Sequence, residues 1–424
     1  MLNGSGARLV NIAIQGTTLS SRFLLVFFLA RFLAPEQLGL YGLIVATISY
    51  ALFVIGFDFY TYATRELIKR EKNDWAPLLK SQCGLWICFY VLLMPVLCFL
   101  FAGNVLPWSM AGWFFVLLVL EHLTQEVGRL LVAISEPLMA SLVLFIRHGS
   151  WAIGAVSVMA FEPAFRSLDL VLGSWTFASA VALAVGACRL SKLGIRWWVG
   201  KVDWAWIRVG LKVCIPMFVA TLALRGIYTL DRYWLNEVGG LEVVGAYVLF
   251  AGISGALMTF LDAGVFSFSY PGLIKAVNEK NPHHFVRQLQ TLSISTGFVS
   301  AVFAVVSIFL LNPLLGWTNN SSYAAYSDFY PWLLLASILY ALGMVPHYAL
   351  YAQGFDRPII LGHIVTFFIF VLIAWAFSSS WGPKAVPIGL CVALAVLLAI
   401  KLLAFLKLTP LPFRSMRFRA RDFA

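Results

Sequence analysis

The sequence predicts an all-α, polytopic membrane protein, and its composition is the first reason. Hydrophobic residues make up 61% of the 424 residues and charged residues only 12%, against roughly 45–50% and 25% in soluble proteins. Apolar runs extend from one end of the chain to the other, and no stretch has ordinary soluble composition. A globular domain held by a single membrane anchor is therefore excluded.

The length of the apolar runs predicts about 12 transmembrane helices. A spanning helix needs about 20 apolar residues, and the chain has room for roughly 35 residues per helix with its connection. The first span is not expected to be a cleaved signal peptide, because it contains Arg22 and no small-residue cleavage site follows it. The predicted spans are 9–30, 39–62, 82–102, 110–133, 139–160, 167–188, 211–235, 243–268, 289–311, 329–351, 359–378 and 386–407.

The net charge of +11 indicates membrane topology and not a nucleic-acid partner. Lysine and arginine cluster in the connections after the second, sixth and eighth predicted spans, whereas 103–109 and 312–328 contain neither. By the positive-inside rule, both termini and the basic connections are cytoplasmic. The predicted organisation is an N-terminal six-helix lobe at 1–188, a basic cytoplasmic linker at 189–210, a C-terminal six-helix lobe at 211–407 and a basic cytoplasmic tail at 408–424.

The sequence carries no sign of catalysis, and we expect a transporter that has no catalytic residues, no metal and no cofactor. The six cysteines form no C-x-x-C pair and no spacing typical of a zinc site. A nucleotide-binding P-loop is absent. The non-cytoplasmic connections are short, which disfavours a membrane glycosyltransferase or polymerase, because such enzymes typically carry a long loop there.

The two halves of the chain share a motif directly after their first helices. Glu36 opens the pattern E-x-x-G-x-Y, which ends at Tyr41, and Glu242 opens the same pattern 206 residues later, ending at Tyr247. Six helices per half is an even number, so both halves insert with the same orientation. The repeat therefore predicts two lobes related by an axis along the membrane normal.

These segments resemble a known family. The run Ala30 to Gly42, and Asp231-Arg232 followed by the second motif, are similar to the polysaccharide transporter family, the O-antigen type flippases of the multidrug, oligosaccharidyl-lipid and polysaccharide exporter superfamily. The resemblance implies two six-helix lobes around a central cavity that work by alternating access. It further implies movement of an undecaprenyl-pyrophosphate-linked oligosaccharide across the bacterial inner membrane. An insertion at 236–241 departs from the family pattern.

The residues give an independent reason for a cavity, because the first helix of each lobe carries a polar stripe. Successive polar residues are spaced i, i+4, i+7 and i+11, which places each set on one helical face. Such a face is not suited to lipid, and an arginine near the bilayer centre is by default a functional residue facing a cavity. The predicted substrate-binding stripes are Asn11, Gln15, Thr18 and Arg22 in the first lobe, and Thr221, Arg225, Tyr228 and Arg232 in the second.

Two interpretations of the arginines remain open. Arg129 has Glu126 three residues before it, but Arg22, Arg225 and Arg147 have no acid at the neighbouring helical positions. Guanidinium binds phosphate through two hydrogen bonds, so these three would suit a pyrophosphate headgroup. In the alternative, each forms an interhelical ion pair. The candidate partners are Asp58, Glu121, Asp231 and Asp262.

The fourth predicted span is the most polar, and it offers candidates for ion coupling. Glu121 and Glu126, with Asp58 from the second span, would suit coupling to a proton or sodium gradient. The alternative is a neutralised network that joins the fourth and fifth spans through Arg147. We interpret His347 and His363, which are isolated in sequence, as packing residues.

The sequence therefore favours a flippase for a lipid-linked oligosaccharide in a bacterial inner membrane. Its expected partners are that lipid, the membrane lipids and polysaccharide polymerase or assembly proteins, and we expect a monomer. A small-molecule or multidrug antiporter of the same fold is the first alternative, and a membrane glycosyltransferase or polymerase is the second. Arginines with no acid at the neighbouring helical positions disfavour export of cations, for which acids and aromatic residues would be expected.

Overall fold

A computed structural model describes residues 4–195 and 199–414. The predicted all-α membrane architecture is confirmed: the described residues form helices and no strand. The helices are α1 Gly4–Phe32, α2 Pro35–Gly56, α3 Tyr60–Ile68, α4 Trp75–Ala102, α5 Ala111–Ala133, α6 Pro137–Phe145, α7 Trp151–Phe161, α8 Leu168–Lys192, α9 Trp204–Leu261, α10 Ser267–Asn278, α11 Pro282–Thr318, α12 Ser321–Ala325, α13 Phe329–Ala352, α14 Asp356–Trp381 and α15 Ala385–Leu408.

In the described part of the chain, 9 segments are long and apolar enough to cross a membrane. Two of them, Trp204–Asn278 and Asp356–Leu408, are long enough for two spans each. The first turns at Gly240, where φ is 79° and the backbone is not helical. The polar helix α5 is as long as a span but falls short on apolar composition because of its charged residues. When the two long segments count as two spans each and α5 is included, the helices correspond to the 12 predicted spans.

Three spans contain breaks that the sequence analysis did not predict. Residues 39–62 do not form one helix, because Phe57 and Asp58 adopt left-handed backbone conformations between α2 and α3. A π-helical turn at Ile146–Ser150 joins α6 to α7, and a second one at Asp262–Phe266 joins α9 to α10. Local widening of this kind is often found at functional sites. Each of the three breaks contains a residue named above: Asp58, Arg147 or Asp262.

The chain divides into two compact units, Met1–Phe218 (unit 1) and Val219–Ala424 (unit 2). The division lies within α9 and not in a separate linker at 189–210: α8 continues to Lys192, and α9 begins at Trp204. Trp206 and Ile207 are buried in the apolar core of unit 1, so the start of α9 belongs to that unit. Residues 196–198 of the predicted linker and 415–424 of the predicted tail lie outside the described residues.

Each unit has an apolar core that fixes its helices. In unit 1, Phe59 packs edge-on against Trp206 with ring centroids 5.1 Å apart, and both belong to the core of that unit. In unit 2, Phe266 and Phe285 are buried in a second core with residues of α9, α13, α14 and α15. Asn281 caps α11 by accepting a hydrogen bond of 3.1 Å from the main-chain amide of His284. These cores hold the polar groups described below at fixed positions.

Candidate functional site

Unit 2 contains a cavity of about 330 Å³ that opens between α9 and α13. Three of the four residues of the second predicted stripe line it, and Thr221 does not. Its charged residues are two arginines and one aspartate, so the lining has an excess of positive charge. The polar lining consists of Arg225, Tyr228, Asp231, Arg232, Tyr247, Ser254, Ser337 and Tyr340.

Asp231 is the buried acid of this cavity, with 1% of its surface exposed. It accepts hydrogen bonds from the hydroxyl of Tyr247 at 2.6 Å and from the main-chain amide of Arg232 at 2.7 Å. The Nη1 atom of Arg232 lies 3.2 Å from the same carboxylate and also donates to the carbonyl of Tyr228. The negative charge of Asp231 is therefore compensated by groups beside it, and its ion pair is with Arg232.

The tyrosines that end the two E-x-x-G-x-Y segments are both buried near charged groups. Tyr247 ends the second E-x-x-G-x-Y segment and binds the buried acid of unit 2. Tyr41 ends the first segment, is also buried, and lies within electrostatic range of Arg22 and Glu121 in unit 1. Each motif tyrosine is therefore buried within electrostatic range of charged groups in its own unit.

Unit 1 contains a buried ion pair between α5 and the π-helical turn that follows α6. Glu121 and Arg147 are 2% and 7% exposed. The guanidinium group donates to the carboxylate from Nε at 2.8 Å and approaches it with Nη2 at 2.6 Å. Trp175 Nε1 and Ser179 Oγ donate to the other oxygen at 2.9 and 2.7 Å. Of the two interpretations left open by the sequence, the structure shows the interhelical pair for Arg147.

A second polar group in unit 1 surrounds Glu126. Its carboxylate accepts a hydrogen bond of 2.9 Å from Gln82 and pairs with Arg129, as the sequence spacing predicted. Arg129 lies over the ring of Tyr60, 3.7 Å from its centroid. These four side chains border a mainly apolar cavity of about 430 Å³. Asp58 is close enough to act electrostatically on Glu126. Among the described residues, no group of three or more His, Cys, Asp or Glu side chains could hold a metal ion.

The first predicted stripe is partly used in packing within unit 1. Gln15 donates to Ser141 of α6 at 3.1 Å, and the buried Thr18 donates to the carbonyl of Ile14 in its own helix. The side-chain oxygen of Asn11 is buried and has no hydrogen-bond partner among the described residues. Arg22 is exposed, and no carboxylate in the described part of the chain lies within ion-pair distance of it. Arg22 is thus the charged group of this stripe that remains accessible.

Unit 2 contains a cluster of basic side chains that was not predicted from the sequence. The imidazole rings of His347 and His363 are nearly parallel, with centroids 6.2 Å apart. Lys401, which is 1% exposed, is close enough to act electrostatically on both. The two histidines are therefore not isolated packing residues. A lysine within an apolar span is a functional candidate by itself, and that signal in 386–407 could have identified the cluster.

Comparisons with known proteins identify the fold. No protein-family model and no curated protein sequence matches the chain. Among solved structures, an inward-facing multidrug resistance MATE family transporter of the MOP superfamily matches with a TM-score of 0.77 and 13% identity, over 95% of this chain and 99% of that chain. The lipid II flippase MurJ, in an inward closed conformation, matches with a TM-score of 0.69 and 14% identity, over 93% of this chain and 87% of that chain. The chain thus has the fold of MOP superfamily transporters.

Proposed function

We propose that this protein is a transporter, and specifically a flippase that moves an undecaprenyl-pyrophosphate-linked oligosaccharide across a bacterial inner membrane. It works by alternating access of its two six-helix lobes and catalyses no covalent chemistry. Two kinds of support exist: the shared fold with multidrug transporters and with a lipid II flippase, and the resemblance of the two motif segments to O-antigen type flippases. The fold serves both substrate classes, so the choice between them depends on the residues of the cavity.

The charge of the unit 2 cavity is the observation that carries the proposal. Arg225 and Arg232 line it with a single acid, Asp231, whose carboxylate is already bound by Tyr247 and by Arg232. A net positive, partly enclosed lining attracts an anion, and guanidinium matches the geometry of phosphate. A volume of about 330 Å³ accommodates a charged headgroup and not a whole oligosaccharide. The glycan itself therefore extends beyond this cavity.

The residues that line the unit 2 cavity also bear on the alternative substrate, a small organic cation exported by antiport. A cation site is expected to offer an uncompensated carboxylate and aromatic faces. Tyr228, Tyr247 and Tyr340 supply aromatic groups in the unit 2 cavity, but Asp231 is engaged by its neighbours. The small-molecule antiporter is therefore the second candidate. A glycosyltransferase or polymerase is less favoured, since the matched structures are transporters.

The proposal also includes the topology, partners, oligomeric state and energy source expected from the sequence. In this proposal the basic connections and both termini lie in the cytoplasm. The transporter acts as a monomer beside polysaccharide polymerase or assembly proteins. Its energy comes from a proton or sodium gradient. Of the three acids first considered for coupling, Glu121 and Glu126 are each paired with an arginine. They are better suited to holding α5 in place than to exchanging an ion.

The proposal is tested with alanine and lysine substitutions of Arg22 and Arg225 in cells that depend on this protein for surface glycan. Both arginines are exposed, so their removal should leave membrane abundance near normal while glycan export is lost. Lysine should restore export only in part, because it keeps the charge and loses the two-pronged geometry. The matched control is Arg287→Ala, which removes an exposed arginine on α11.

Two outcomes would count against the proposed role of these arginines. Normal abundance with normal glycan in both alanine variants would mean that neither arginine meets the substrate. Low abundance restored by neutralising a nearby acid would instead identify a structural ion pair, since loss of one partner of a buried pair costs about 3–5 kcal/mol. The glycan and abundance measurements must therefore be made on the same cultures.

A further inference from the structure

Unit 2 brings together three basic side chains at one level, each on a different helix; His363 and Lys401 are buried, and His347 is half-buried. His347 is on α13, His363 on α14 and Lys401 on α15. Each lies five to seven residues from the end of its helix at Ala352, Asp356 or Leu408, which is about 8–11 Å along the axis. These three helix ends face the same side of the unit, because successive spans alternate in direction. The cluster is therefore inside the unit but near one of its faces.

Two glycines lie where α13 and α14 approach α15 beside the cluster. A Cβ atom on Gly343, one turn before His347, would lie 3.9 Å from Leu398 of α15. A Cβ atom on Gly362, next to His363, would lie 3.1 Å from Leu397 and 3.4 Å from Ile400. The missing side chain of Gly362 allows α14 to approach α15 closely just before Lys401, whereas a Cβ atom on Gly343 would make an ordinary contact. The cluster is thus built by tight helix packing.

No carboxylate among the described residues pairs with the cluster. Lys401 forms no ion pair with any carboxylate in the described ranges. There, Nδ1 of His347 has no hydrogen-bond partner, and neither ring nitrogen of His363 has a side-chain partner. The titratable groups around it are tyrosines: Tyr348 and Tyr351 pack beside His347. Among the described residues, Lys401 acts electrostatically on His363, and the main chain of Ala220 on α9 lies within hydrogen-bonding range of it.

Acids near the cluster do not reach it. Asp262, in the π-helical turn before α10, acts electrostatically on Tyr348, and Asp356 at the start of α14 acts on Tyr270 of α10. Neither acts on Lys401, His347 or His363 among the interactions of the described residues. Like charges this close repel strongly in an apolar interior, and a buried charge without a partner is costly. The three groups therefore cannot all be protonated together.

We propose that His347, His363 and Lys401 form a proton-binding site that couples transport to the proton gradient. The cluster holds a single exchangeable proton, which passes between the lysine amine and the imidazole nitrogens. The coupling part of this proposal rests on the proposed transport function, whereas the binding of a proton does not. It places ion coupling in unit 2 and away from the paired acids of unit 1.

The first experiment measures proton binding on the purified full-length protein, without any transport substrate. Wild type, Lys401→Met and His363→Gln are titrated in detergent between about pH 5 and pH 9, with the released protons measured by an indicator dye. We expect the wild type to release about one proton more than Lys401→Met. The matched control is Lys407→Met, which removes an exposed lysine from the same helix and should release as many protons as the wild type in this pH range.

Folding of the variants is checked by thermal unfolding and by elution as a single species. Methionine has nearly the volume of lysine, and its introduction leaves no carboxylate unpaired, so Lys401→Met should be at least as stable as the wild type. Equal proton release from wild type and Lys401→Met would overturn the proposal. A difference that appears only when chloride is present would also overturn it, because the cluster would then be an anion site. His363→Gln leaves the Lys401 amine in place, so it should change the pH at which the proton is released; it is the second test if Lys401→Met is poorly folded, and an unchanged release curve would then overturn the proposal.

The second experiment measures coupling in proteoliposomes that contain a polyprenyl-pyrophosphate-linked oligosaccharide. An imposed pH gradient should accelerate translocation by the wild type, while Lys401→Met should keep its rate at equal pH and lose the acceleration. Acceleration of Lys401→Met equal to that of the wild type would refute the coupling. If no variant moves the lipid but the proton-binding difference persists, the proposed substrate fails and the proton-binding site stands.

Discussion

The buried pair of Glu121 and Arg147 gives the sharpest prediction for stability. Glu121→Gln removes the charge while keeping the shape of the side chain. Glu121 accepts hydrogen bonds from Arg147 at 2.8 Å, Trp175 at 2.9 Å and Ser179 at 2.7 Å. The substitution leaves a guanidinium group that is 7% exposed without its counter-ion. Breaking a buried pair in this way costs about 3–5 kcal/mol.

A second ion pair in the same unit supplies a matched control. Arg189 and Glu136 are 2.7 Å apart, but their side chains are 35% and 25% exposed. Water screens such a pair, so Glu136→Gln should cost only about 0–1 kcal/mol. Both variants change one carboxylate to an amide, and they differ mainly in burial. The difference between them therefore reports the cost of the unpaired buried charge.

The assay is denaturant unfolding of the purified protein in detergent, followed by tryptophan fluorescence because Trp175 contacts Glu121 directly. The double variant Glu121→Gln with Arg147→Met should recover most of the lost stability, since no buried charge then remains unpaired. If Glu121→Gln were no more destabilising than Glu136→Gln, the pair would not be a structural element of unit 1. The assignment of Arg147 to packing would then be wrong.

Three further predictions concern other sites. Tyr247→Phe should destabilise unit 2 by about 1–3 kcal/mol, because Asp231 loses its 2.6 Å hydrogen bond; unchanged denaturant unfolding would contradict this. Gly186→Ala should cost about 1–3 kcal/mol, because the new Cβ would lie 2.4 Å from Val127, whereas Gly128→Ala, which meets nothing within 4 Å, should not destabilise; equal unfolding of the two would refute the crowding. Reporter fusions should show the cytoplasm at 201 and 280 and the periplasm at 320; a periplasmic signal at 201 would overturn the topology.

The sequence predicted the helices well, because a spanning segment needs about 20 apolar residues and little else. It did not predict the breaks, such as the left-handed Phe57 and Asp58 or the π-helical turn at Ile146–Ser150. Neither break contains a proline, the local signal that usually identifies a kink. These conformations depend on contacts with other helices, which a linear pattern does not contain.

The candidate site was predicted in part for the same reason. Helical spacing identified Arg225, Tyr228 and Arg232 as one face, and they line the unit 2 cavity. It could not show that Arg147 meets Glu121, because these residues are 26 positions apart and belong to different helices. Periodicity describes a single helix, whereas ion pairs between helices are determined by how the helices pack.

The most direct test of the central claim is translocation by the purified protein reconstituted alone in liposomes. A polyprenyl-pyrophosphate-linked oligosaccharide and an organic cation are compared as substrates, each with wild type and with the Arg225→Ala variant. The account predicts movement of the lipid-linked oligosaccharide by the wild type, its loss in the variant, and no movement of the cation by either. Transport of the cation without movement of the lipid would contradict the account and identify a multidrug antiporter.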